Sequence, residues 1–219
     1  MKAAIQGILI DLDDTLLDDR RATRLGFAAL VSAHQAWLPT QSDSDALATW
    51  RSLMMLHWQR YEQGQCSLLD QRRARVREFF GRPLTDEQAD LAYEPYRTTY
   101  ESAWSLVPQA REFLERSRHV PKVVVTNGER SQQLRKLQAC ALLPHIVGMV
   151  TPMDCGHWKP RPEIFQAALA MLKLDASQCL MIGDDPVRDI APATRLSIQT
   201  LLVDPHGIGN TLLDALDIM

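Results

Sequence analysis

Apolar positions in this chain change period along its length. Gly7-Ile8-Leu9-Ile10 is a short unbroken apolar run, the pattern of a strand buried on both faces. After Leu17 helical spacing takes over, and no strand-like run occurs from Arg20 to about Trp104. This stretch predicts helices over 20–38, 44–62, 68–80 and 86–103, broken at Pro39, Gly64 and the Gly81-Arg82-Pro83 turn, with Thr85 capping the last. From Pro108 helical and strand-like segments alternate. A helix runs to about Arg118, a strand covers 122–125, and a helix covers 131–142. Strand-like runs follow at 146–150, 179–182 and 198–203, with helices over 161–172 and 190–194 between them. That alternation predicts an α/β fold: a doubly wound, mainly parallel sheet built from residues 1–17 and 103–219, with an all-helical domain of residues 18–102 inserted.

Composition narrows the classes of function. A chain of 219 residues that is 46% hydrophobic can bury a large core and a smaller second body. With 24 basic and 27 acidic residues its formal charge is -3, so no positive field gathers nucleic acid or an anionic membrane. A small ligand is the expected partner. The opening residues lack a signal-peptide apolar stretch and no apolar run is long enough to span a bilayer, so a cytoplasmic, membrane-free protein, monomer or homodimer, is expected. Cys66, Cys140, Cys155 and Cys179 are scattered without a CxxC pair, as reduced thiols in packing positions are.

Chemistry-bearing residues recur where strands end. Asp11 and Asp13 follow the first run, one residue apart, so on an extended backbone both project to one side, into the crevice beyond the strand. Carboxylates that close repel unless a cation lies between them. Taken alone, they also read as an acidic turn. Thr126-Asn127-Gly128 follows the second run and offers a hydroxyl, an amide and backbone N–H groups to an anion, or simply a helix cap. Lys159 stands just before Pro160, and Gly183-Asp184-Asp185-Pro186-Val187-Arg188-Asp189 ends another apolar strand in carboxylates. Carboxylates from two strands plus one lysine suit a cation beside a phosphate.

In this order and spacing the four segments resemble the four motifs of the haloacid dehalogenase-like (HAD) hydrolase superfamily, and the helical insertion resembles its C1-type cap. The resemblance spans essentially the whole chain and implies a Rossmann-like core. It implies Asp11 as nucleophile, Asp13 as general acid and base, Thr126 and Lys159 as phosphoryl ligands with Asn127 and Thr15 beside them, and Asp189 steadying Lys159. Mg²⁺ is implied as cofactor, held by Asp11, Asp184 and the Asp13 backbone carbonyl. The implied reaction is hydrolysis of a small-metabolite phosphate monoester through an aspartyl phosphate. A phosphomutase, a 2-haloacid dehalogenase and a non-catalytic binder of a phosphorylated metabolite are the alternatives. Asp13 favours the phosphatase, because an alkoxide leaving group needs a proton and a halide does not.

Asp185 and Arg188 depart from the motif, so Asp185 is either a further metal ligand or a partner of Arg188. His157 and Trp158 before Lys159 are also unusual. Within the insertion, Arg51, His57, Trp58 and Arg72 are candidates for reading the leaving group, against the plainer reading of arginines on a solvated helix face and tryptophans in a core. Tyr61-Glu62-Gln63-Gly64 and the arginine-bearing helix after it resemble the caps of nucleoside monophosphate and sugar acid phosphate phosphatases.

Overall fold

A computed structural model describes residues 4–38 and 43–219, so the predicted Pro39 break and the first three residues lie outside the described residues. Contacts divide the chain into two compact units, one of Met1–Asp19 with Trp104–Met219 and one of Arg20–Ala103.

The first unit is an α/β domain. Its five strands are β1 (Gly7–Ile10), β2 (Lys122–Val125), β3 (Gly148–Val150), β4 (Cys179–Gly183) and β5 (Gln199–Leu202). They form one sheet in the order β3-β2-β1-β4-β5, with every pairing parallel. Central β1 is unbroken apolar because side chains alternate across a sheet covered on both faces. Ile8 and Ile10 enter one core with Val124 and Ile182, under Phe113 and Leu114 of the helix Ala110–Arg116. Leu9 enters the opposite core with Val123, Val125 and Met181, under Ile164, Phe165 and Ala168 of the helix Pro162–Leu172. Gly7 admits this packing closely, since a Cβ there would lie 2.5 Å from Leu174 Cδ1.

Numbered in chain order, the second unit carries α1 (Asp19–Ala33, whose first residue belongs to the α/β unit), α2 (Asp43–Glu62), α3 (Leu68–Phe80) and α4 (Asp86–Ser102). α3 packs against α2 and α4. Its core is aromatic: fully buried Trp50 meets Phe27, Phe79 and Tyr96 at ring-centroid distances of 5.2 to 6.1 Å. Gly26 lets α1 approach α4, because a Cβ there would stand 2.9 Å from the Tyr96 carbonyl oxygen.

Several boundaries differ from the sequence pattern. The first predicted helix stops at Ala33; His34 leaves helical geometry, its ring nitrogen bonds the Ala92 carbonyl at 3.0 Å, and a 3-10 turn follows at Gln35–Trp37. The helix expected over 131–142 is α6 (Arg130–Ala139), ended by the left-handed backbone of Ala141. The helix Ala110–Arg116 is α5, short at both ends of its predicted range. A short helix α7 (Pro152–Cys155) had no apolar period to reveal it and rests on a Thr151–Asp154 capping box. The helix Pro162–Leu172 is α8; the one expected over 190–194 is α9 (Ala191–Arg195), entered through a π-turn at Pro186–Ile190.

Candidate active site

Parallel strands deliver their carboxyl ends to one edge of the sheet, and the crevice there is where such folds bind ligands. Because β1 lies between β2 and β4, Asp11 after β1 stands between Thr126 after β2 and Asp184 after β4. The backbone N–H of Asp11 donates to the Ile182 carbonyl at 2.9 Å, extending the ladder one residue beyond the strand. The chain then reverses through Asp14, at a φ of 59°, with the N–H groups of Leu16 and Leu17 both returning to the Leu12 carbonyl.

Asp11 and Lys159 form a buried ion pair, with Lys159 Nζ donating to Asp11 Oδ1 at 2.5 Å and to Asp189 Oδ1 at 2.7 Å. Ligand oxygens of Asp11, Asp184 and Asp189 lie within 4.8 Å of one another. Burial pushes the Asp11 carboxyl up to about 6 against the pull of the Lys159 ammonium. Burial pulls Lys159 the other way, but its two carboxylate partners outweigh it and hold the ammonium above the ordinary lysine range. The three clustered carboxylates outnumber the one ammonium by two. An all-oxygen set with that excess negative charge fits a hard divalent cation such as Mg²⁺.

The carboxyl of Asp13 has different partners from that of Asp11. Lys136 Nζ donates to Asp13 Oδ1 at 2.5 Å, and Gln133 Nε2 donates to Asp13 Oδ2 at 2.8 Å. Burial raises the Asp13 carboxyl and Lys136 opposes it. Gln133 Nε2 also donates to Thr126 Oγ1 at 2.7 Å. The sequence reading missed both Gln133 and Lys136. A signal was present, because on α6 they fall at i and i+3 of the stripe that continues with Leu137 and Cys140, placing polar groups on a buried helix face.

Other expected residues have partners of their own. Thr15, expected beside the phosphate, is fully buried and donates from Oγ1 to Asp184 Oδ1 at 3.5 Å, so it supports a carboxylate. Asn127 donates from Nδ2 to the Lys159 carbonyl at 2.9 Å and accepts the Lys159 N–H at 2.7 Å, so its side chain holds the lysine's backbone. Asp185 caps the π-turn, with Oδ1 accepting the N–H groups of Val187 and Arg188 at 2.8 and 2.9 Å.

In the helical unit, His57 is buried with Nε2 2.9 Å from Glu78 Oε2, Trp58 donates to Glu62 Oε1 at 3.1 Å, and the Arg72 guanidinium lies 5.7 Å from the Tyr93 ring centre. Each of these three is engaged within its own unit. Arg51 is exposed. Nor do the neighbouring arginines make a solvated face. Arg73 ties α3 to Asp86 and Asp90 of α4, and buried Arg75 lies 4.5 Å from the Trp50 ring centre and donates to the Tyr93 hydroxyl.

A parallel α/β sheet that gathers carboxylates and a buried lysine beyond its carboxyl edge has the ligand-site arrangement of the α/β class. The chain belongs to the haloacid dehalogenase-like hydrolases, whose family profile matches residues 5–196. It is 29% identical to phosphoserine phosphatase of Thermus thermophilus over 90% of this chain and 88% of that protein. It is 35% identical to ribulose-1,5-bisphosphate 5-phosphatase of Halopiger xanaduensis over 51% of this chain, spanning only about half (48%) of that relative. Among solved structures, the magnesium-bound HAD-hydrolase YfnB of Bacillus subtilis shares the fold with a TM-score of 0.78 at 22% identity, covering 95% of this chain and 93% of that one. No helix among the described residues is long and apolar enough to cross a membrane.

Proposed function

We propose that this hydrolase cleaves a phosphate monoester of a small metabolite, with Asp11 as nucleophile and Asp13 as general acid and then general base. The observation that carries the reading is the separation of two neighbouring carboxylates by their partners. Asp11 pairs with Lys159 on the cation-ligand side, while Asp13 is held from α6 by Lys136 and Gln133. Environments that differ in this way divide nucleophilic from proton-transfer work.

Asp11 attacks phosphorus in line, its oxygen forming a bond as the ester P–O bond breaks, and the product is an aspartyl phosphate. Asp13 gives its proton to the departing alkoxide. Lys159 and Thr126 donate to the phosphoryl oxygens, offsetting the repulsion between a dianion and a carboxylate. Asp13, now a carboxylate, takes a proton from the water that attacks phosphorus, and Asp11 is released. Mg²⁺, held by Asp11, Asp184 and the Asp13 backbone carbonyl, would neutralise charge on the phosphoryl group. The phosphatases among the relatives favour a small phosphorylated substrate.

The test is phosphate release from nucleotides, sugar phosphates, polyol phosphates and p-nitrophenyl phosphate, with Mg²⁺ and with chelator. Mg²⁺-dependent release by the parent, lost in Asp11→Asn, is the expected result. Wild-type turnover by Asp11→Asn on every ester the parent cleaves would overturn the mechanism.

A further inference from the structure

We propose that Gln133 and Lys136 are positioning residues that hold the carboxyl of Asp13 and the hydroxyl of Thr126 in register for proton delivery to the leaving group. The inference rests on the phosphatase reading above and deepens it.

One face of α6 reaches both oxygens of Asp13. Lys136 takes Oδ1 and Gln133 takes Oδ2, so the rotation of the carboxyl plane is set by two donors from a single rigid element. Both residues are essentially inaccessible, Gln133 at 0% and Lys136 at 1% exposure, so water does not substitute for either donor. Lys136 Nζ also donates to Asp19 Oδ1 at 2.9 Å. Its ammonium therefore sits between two carboxylates and is held in place from both sides.

Gln133 joins the acid to the phosphate side of the site. Thr126 Oγ1 accepts from Gln133 Nε2 and, at 3.0 Å, from the Gly128 N–H. A hydroxyl has two acceptor lone pairs and one proton, so with both lone pairs filled the Thr126 proton is left to donate. That is the polarity a phosphoryl oxygen requires. Glycine at 128 leaves room for this arrangement, since a Cβ there would lie 2.1 Å from Gln133 Nε2.

In chemical terms, the Asp13 proton passes to the ester oxygen while the P–O bond breaks and the Asp11 O–P bond forms. The two donors from α6 are complementary to the carboxylate that Asp13 becomes. Misplacing that carboxyl slows reactions whose leaving group must be protonated and spares those whose leaving group departs as a stable anion. A purely structural role would lower both alike.

The experiment compares kcat/KM, which reports through formation of the aspartyl phosphate, for p-nitrophenyl phosphate and for the best-cleaved alkyl ester among sugar and polyol phosphates. Parent, Lys136→Met and Gln133→Leu are assayed with thermal melts alongside. In Lys136→Met the ratio of alkyl to aryl kcat/KM is expected to fall about tenfold or more, within the range of general acid catalysis. Gln133→Leu is expected to lower the same ratio and also to raise KM for both esters, through Thr126. Should Lys136→Met fail to fold, the ratio in Gln133→Leu decides. An unchanged ratio in the folded variants overturns the inference while the phosphatase reading stands. A parent that hydrolyses neither ester overturns both.

Discussion

A methyl group on Gly183 would stand 2.3 Å from Asp189 Oδ2, on the carboxylate whose other oxygen holds Lys159. Gly183→Ala must therefore push Asp189 aside, and Lys159 loses one of its two anionic partners. On the proposed role of Lys159 as a phosphoryl ligand, phosphate release is expected to fall about tenfold or more, with the protein still folded by circular dichroism. Retention of full activity would separate Asp189 from the positioning of Lys159. Residues with reactive functional groups were readable in the chain, because Asp11, Asp13 and Asp184 stand where strand-like runs end and Lys159 follows a short loop after another. Side-chain partners were not. The Thr15 side chain meets Asp184 and the Asn127 side chain meets the Lys159 backbone, 169 and 32 positions away along the chain.

Helices were legible in proportion to the local signals that bound them. α4 begins where Thr85 suggested, with Thr85 Oγ1 accepting the Gln88 N–H at 3.2 Å and Gln88 Oε1 accepting the Thr85 N–H at 2.9 Å. Thr85→Ala is expected to destabilise the protein by about 1 kcal/mol in urea denaturation. Gln88→Ala should overlap with it, so the double mutant costs less than the sum of the singles. Additive costs would mean that the two bonds act independently. Helix ends made by tertiary contacts were not visible: α1 stops where His34 turns to the Ala92 carbonyl, a partner that belongs to α4. The arginines of α3 likewise read as solvated because the carboxylates and rings that engage them lie on other helices.

Across the molecule, folding also buries charge away from the candidate site. Lys122 opens β2 with 1% exposure, and its Nζ donates to the carbonyls of Ser117 and Val120 at 2.6 and 2.9 Å. Burial pushes this ammonium down to about 8 from an ordinary 10.5. Between those two values the unfolded chain binds more protons than the folded one, so stability from this group rises with pH across that window. The corresponding penalty, up to about 3 kcal/mol, is fully present below the window. Urea denaturation at pH values on either side of it should show a smaller pH-dependent gain in Lys122→Met than in the parent; equal gains would refute the assignment. The sequence by itself determined the periods of the elements, the α/β class and which residues carry reactive groups, because strand and helix periods and strand-end chemistry are local properties of the chain. Tertiary structure alone decided the order of the sheet and which polar groups meet. Lys159 reaches Asp11 across 148 positions and Gln133 reaches Asp13 across 120, and those pairs exist only once the strands between them have closed side by side.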